Sequence, residues 1–111
     1  MSQITTHILD TTKGKPATGV TIILYAQESE WTEIARGVTD NDGRIRDLLP
    51  AGHALPAGVY KMKFLVLDYF KMQSAESFYP FIEIVFSITS TEHYHIPLLL
   101  NPFGYTTYRG S

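Results

Sequence analysis

Two histidines stand two residues apart, His93 and His95. A third lies at His7, and Arg44 follows the turn Asp40-Asn41-Asp42-Gly43. A neutral imidazole near pH 7 can take a proton from water and return it to a leaving group. A guanidinium offers a planar fork of donors to an oxygen-rich ligand or to a developing oxyanion. Alternatively, His7, His93 and His95 could ligate zinc, which in catalysis takes three protein ligands and an open position. Solvated surface histidines and a solvated turn arginine are the plain alternatives, and spacing alone does not choose among these readings. His53, in an Ala/Gly/Pro stretch, reads as a loop residue, and Arg46, alternating with Ile45, as a surface residue.

Positioning these groups requires strands. Short β-branched runs with period-2 alternation recur along the chain, separated by Gly, Pro and Asp clusters. Strands are expected over residues 4–10, 20–27, 31–39, 45–49, 59–67, 82–88, 93–100 and 105–109, with one helix over 68–77 ending before Tyr79-Pro80. Alternation puts Ile4 and Ile8 on the core face of the first strand and His7 on the other. In the seventh strand it puts Tyr94, Ile96, Leu98 and Leu100 inward, with His93, His95 and Leu99 outward. Three of the four histidines thus fall on outer faces. Eight strands and one short helix, spaced near ten residues, imply an all-β, eight-stranded antiparallel β-sandwich forming one domain over 1–111. The stretch 105–111 stays β-prone to its last residue, which suits an edge strand pairing with another chain, a tail that belongs to a site, or both.

Composition removes several function classes. With 9 Lys+Arg against 11 Asp+Glu the net charge is −2, and no basic stripe suggests a nucleic-acid partner. No apolar run approaches the ~20 residues that span a bilayer, so no membrane role is expected. The first residues lack the pattern of a signal peptide, and the cytoplasm is the expected compartment. There is no cysteine, hence no disulfide, thiolate metal site or cysteine nucleophile. Aromatics reach 13 %, with 7 Tyr, many in the last third.

Three segments carry a family resemblance: His7-Ile8-Leu9-Asp10 followed by Gly14-x-Pro16-Ala17-x-x-Val20; His93-Tyr94-His95-Ile96-Pro97-Leu98-Leu99-Leu100; and the closing Tyr108-Arg109-Gly110-Ser111. Over essentially its whole length the chain resembles the transthyretin-like family, specifically its 5-hydroxyisourate hydrolase branch. The hormone-carrying branch lacks that ending and the histidine set. The resemblance implies conversion of 5-hydroxyisourate to 2-oxo-4-hydroxy-4-carboxy-5-ureidoimidazoline in urate degradation. It implies no metal or cofactor, and a homotetramer, a dimer of dimers, whose sites lie in a central channel. Carried onto this chain, it implies His7, Arg44, His95 and Ser111 as catalytic residues. It further implies substrate binding by His7, Arg44 and Tyr108, and a tail shaped by Arg109 and Gly110. Asn101 and Thr106 stand where the family pattern has serine, and residues 81–83 also depart from it.

Overall fold

The computed structural model describes residues 2–110. Among these, the elements in chain order are β1 (Ile4–Asp10), β2 (Lys15–Pro16), β3 (Thr21–Gln27), β4 (Trp31–Val38), β5 (Arg44–Ile45), β6 (Gly58–Leu65), α1 (Val66–Lys71), β7 (Ile82–Ile88), β8 (Tyr94–Asn101) and β9 (Gly104–Thr107). They form a sandwich of two sheets, one ordered β2-β1-β8-β9 with β5 also paired to β1, the other β4-β3-β6-β7. Every pairing is antiparallel except β1 with β8, which is parallel. That departure from a wholly antiparallel pattern matters for the site, because it runs the two histidine-bearing strands side by side in the same direction.

Alternation along β1 follows expectation: Ile4, Thr6, Ile8 and Asp10 are buried, whereas Thr5, His7 and Leu9 are half-buried. On β8, Tyr94, Ile96, Leu98 and Leu100 enter the core and His95 and Leu99 stay on the outer face. The core they build also takes Leu24 from β3, Met62 and Phe64 from β6, and Ile82 and Ile88 from β7. Among the described residues, no helix is long and apolar enough to cross a membrane.

Several boundaries differ from the periodicity reading. Strand β5 stops at Ile45, and Leu48 and Leu49 are buried from a loop instead. Lys15–Pro16 forms an additional two-residue strand against Leu9 and Asp10. Strand β9 ends at Thr107. The helix covers Val66–Lys71 rather than 68–77: Val66 and Phe70, one helical turn apart, carry its buried face. It is closed by Ser74 at φ 54°, with the Ala75 N–H donating to the Phe70 carbonyl at 3.0 Å. Asp10 fastens this helix to the end of β1. Its buried carboxylate accepts the Thr12 and Lys13 N–H groups through one oxygen and the Tyr69 hydroxyl, at 2.7 Å, through the other. Burial first, and that carboxylate second, push the Tyr69 hydroxyl up to about 12.

Candidate active site

Strand register assembles the site. In the parallel ladder Thr5 stands opposite His95. Across the other edge of β1, His7 stands opposite Arg44. The turn before Arg44 is held by Asp40, whose Oδ1 accepts the backbone N–H of Arg44 at 3.0 Å and of Asp42 at 2.9 Å. These N–H groups, that of Arg44 foremost, hold the Asp40 carboxyl below its usual range. Gly43 has φ 72°, and a Cβ there would lie 2.5 Å from the Ile8 carbonyl oxygen, so glycine is required where the turn passes against β1. Its carbonyl accepts the Ile8 N–H at 2.8 Å, and the next residue, Arg44, is thereby delivered beside the histidines.

The result is an open cavity of about 450 Å³ whose lining includes Thr5, Arg44, Arg46, His93 and His95. The His93 and His95 rings stack with centroids 6.4 Å apart and planes inclined by 19°. The Thr5 hydroxyl lies 2.8 Å from His93 Nε2 and 2.8 Å from His95 Nδ1. Burial lowers the pKa of His95 below its ordinary value; the Arg44 charge adds to this, then His93 and His7, against the Thr5 carbonyl. Burial and then Arg44 also lower that of His7, against the Asp42 carbonyl and the Asp42 and Asp40 charges. Both imidazoles are therefore neutral at pH 7, with a lone pair available. Among the described residues the Arg44 guanidinium has no carboxylate within ion-pair distance. Arg46, by contrast, pairs with Asp42 at 3.1 Å; it is exposed, as its alternation implies, and also borders the cavity.

Arg44 and His95 thus share this cavity, whereas His7 stands opposite Arg44 on β1, near enough to act on the charge of His95, without lining the cavity. Tyr108 does not line it either: within one chain it lines a separate cavity of about 260 Å³ between the sheets, with Ile84, Phe86, Tyr94 and Ile96. Arg109 and Gly110 wrap the tail around His95. Arg109 pairs with Glu92 at 2.5 Å and covers the Tyr94 ring at 4.3 Å. The Gly110 N–H donates to the His95 carbonyl at 2.8 Å, and a Cβ on Gly110 would sit 2.6 Å from His95 Cδ2. Ser111 lies outside the described residues. The zinc alternative lacks a ligand set: among the described residues no three His, Cys, Asp or Glu side chains are grouped to hold a metal ion. Residue types alone do not single out Thr5. Its position, two residues before His7 on the same strand face, is the signal that could have found it.

A β-sandwich carrying paired neutral imidazoles and an arginine on its outer face defines a class. The chain belongs to the HIUase/Transthyretin family, whose pattern matches residues 4–110. It is 46 % identical to the 5-hydroxyisourate hydrolase of Mus musculus, covering 99 % of this chain and 96 % of that protein. Among solved structures it is similar to Klebsiella pneumoniae 5-hydroxyisourate hydrolase, with 40 % identity, TM-score 0.85, and coverage of 97 % of this chain and 98 % of that one. It is also similar to sea bream transthyretin in complex with thyroxine, with 36 % identity, TM-score 0.91, and coverage of 98 % and 95 %. The sandwich is thus common to proteins named as hydrolases and to a transthyretin solved with thyroxine, and the site residues must separate the two.

Proposed function

We propose that this chain, one domain over 1–111, hydrolyses 5-hydroxyisourate to 2-oxo-4-hydroxy-4-carboxy-5-ureidoimidazoline in urate degradation, in the cytoplasm and without a metal or cofactor. The observation that carries this reading is two neutral imidazoles, His7 and His95, beside the guanidinium of Arg44. A carrier has no need of a base, whereas opening a cyclic amide-like bond needs three things at once. Water must lose a proton, the carbonyl oxygen must carry negative charge, and the ring nitrogen must gain a proton as it leaves. His95 takes the proton from water, assisted by His7, and Ser111 is the further catalytic residue that the family resemblance implies. Arg44 holds the substrate's carbonyl oxygens and stabilises the tetrahedral intermediate. The imidazolium then returns its proton to the leaving nitrogen, which restores the neutral base.

The same reading makes the protein a homotetramer. The cavity is open in one chain, and Tyr108, the substrate-side tyrosine, faces elsewhere in its own chain, so it would reach a site only in a neighbouring copy. Strands β7 and β9 end their sheets and expose Val85 and Tyr105, which suits pairing with a second copy.

Purified protein is expected to accelerate the decay of freshly made 5-hydroxyisourate beyond its spontaneous rate, with chelators having no effect. Saturable substrate binding without acceleration would favour the carrier and end the hydrolase reading. Gly110→Ala is expected to lower kcat about tenfold with an unchanged melting temperature, since the added methyl displaces the His95 ring. An unaltered kcat would remove Gly110 from the site.

A further inference from the structure

The Thr5 hydroxyl touches two histidines at once, with Oγ1 lying 2.8 Å from His95 Nδ1 and 2.8 Å from His93 Nε2. A threonine hydroxyl has one proton, so it can donate to only one of the two rings and must accept from the other. We infer that Thr5 is a positioning residue that fixes the tautomer of His95: it donates its proton to His93 Nε2 and accepts the proton on His95 Nδ1, leaving His95 Nε2 bare toward the cavity. The inference rests on the proposed role of His95 as the base that takes a proton from water.

Two observations give the chain of hydrogen bonds this direction. His93 is exposed, so water can satisfy its Nδ1 as donor or acceptor, and its tautomer adapts at little cost. His95 is half-buried, and the Thr5 hydroxyl at 2.8 Å is the partner at its Nδ1, so its tautomer depends on that contact. His93 is therefore the adaptable end and His95 the committed one. The arrangement does what a carboxylate does behind a catalytic histidine in other hydrolases, with a neutral hydroxyl in its place. Protons balance throughout the cycle. His95 gains one at Nε2 from water, keeps its Nδ1–H on Thr5 as an imidazolium, and loses the Nε2 proton to the leaving nitrogen. The Thr5 proton stays on Thr5. His93, singled out in the sequence as half of a side-by-side pair, acquires a definite role, because it occupies the Thr5 donor so that Thr5 can only accept from His95.

The test is 15N NMR of the His95 ring in the intact protein at a pH where it is neutral, combined with steady-state kinetics. The native protein should carry the proton on Nδ1. Thr5→Val, which keeps the shape and removes the hydroxyl, should shift His95 toward the Nε2–H tautomer and lower kcat about 10- to 100-fold with little change in KM. Thr5→Ser should restore both the tautomer and kcat. His93→Phe, a change at an exposed position, should give a mixture of tautomers, because Thr5 is then free to donate either way. A native His95 with its proton on Nε2, or a tautomer unmoved in Thr5→Val, overturns the inference. A tautomer that shifts as expected with kcat unchanged supports the placement of Thr5 and overturns the assignment of His95 as base.

Discussion

His95→Asn is expected to lower kcat/KM for 5-hydroxyisourate by about 10²- to 10⁴-fold, the usual weight of one general acid–base group. The asparagine preserves a polar side chain of similar reach against Thr5 and Gly110, so folding should be unchanged, and near-native activity would exclude His95 as the base. The native pH profile gives a second reading of the same group. Because burial and the Arg44 charge disfavour the imidazolium, the pKa of the proposed base lies below the ordinary histidine value of 6.5. The acid limb of the activity profile should therefore have its midpoint below that value, as the lone pair is lost to a proton. A midpoint at or above pH 6.5 would mean that the active imidazole is neither of the two lowered ones.

Arg44→Gln should cost about 10²- to 10³-fold in kcat, the loss typical of removing one donor from a developing oxyanion. It should also move the acid limb of the profile. Arg44 is the second cause, after burial, of the lowered pKa of both His7 and His95, so removing its charge lets both rise. The limb then shifts toward higher pH, and the variant loses activity in mildly acidic solution where the native protein keeps it. The pair of effects separates an arginine inside the site from one that merely supports the turn. A supporting arginine would lower the melting temperature and leave the limb where it was.

Much of this architecture was legible beforehand because period 2 is a strong signal wherever one sheet face is buried. The outward facing of His7 and His95 follows from Ile4, Ile8, Ile96 and Leu98 alone. Other features depend on information that periodicity does not carry. Val66 and Leu67 continue an apolar run, so they read as strand, yet the chain turns helical at Val66 because Phe70 then reaches the core beside it. Strand direction is likewise invisible in an alternation pattern. The parallel pairing of β1 with β8, and with it the meeting of Thr5 and His95, required the three-dimensional register. Arg44 is recognisable from its Asp-Gly turn; its neighbour Arg46 reads as surface, which it is, but nothing in its local pattern reports the cavity it also borders. The tail was legible as a motif, but its fastening is tertiary: Glu92 and Tyr94 hold Arg109 from the start of another strand.

The parallel β1–β8 ladder also has a kinetic meaning. Thr5 and His95 are 90 residues apart along the chain, so joining them closes nearly the whole polypeptide into one loop. The entropy of that closure is lost before the ladder's hydrogen bonds return anything, and pairings of this kind form slowly. The β3–β4 hairpin and its neighbour β6 need no such closure and can form while the two ends are still apart. During refolding, therefore, most strand signal should return ahead of turnover. The proposed catalytic groups come into register only when the first strand meets the eighth, which makes recovered activity a clock for the last step of folding.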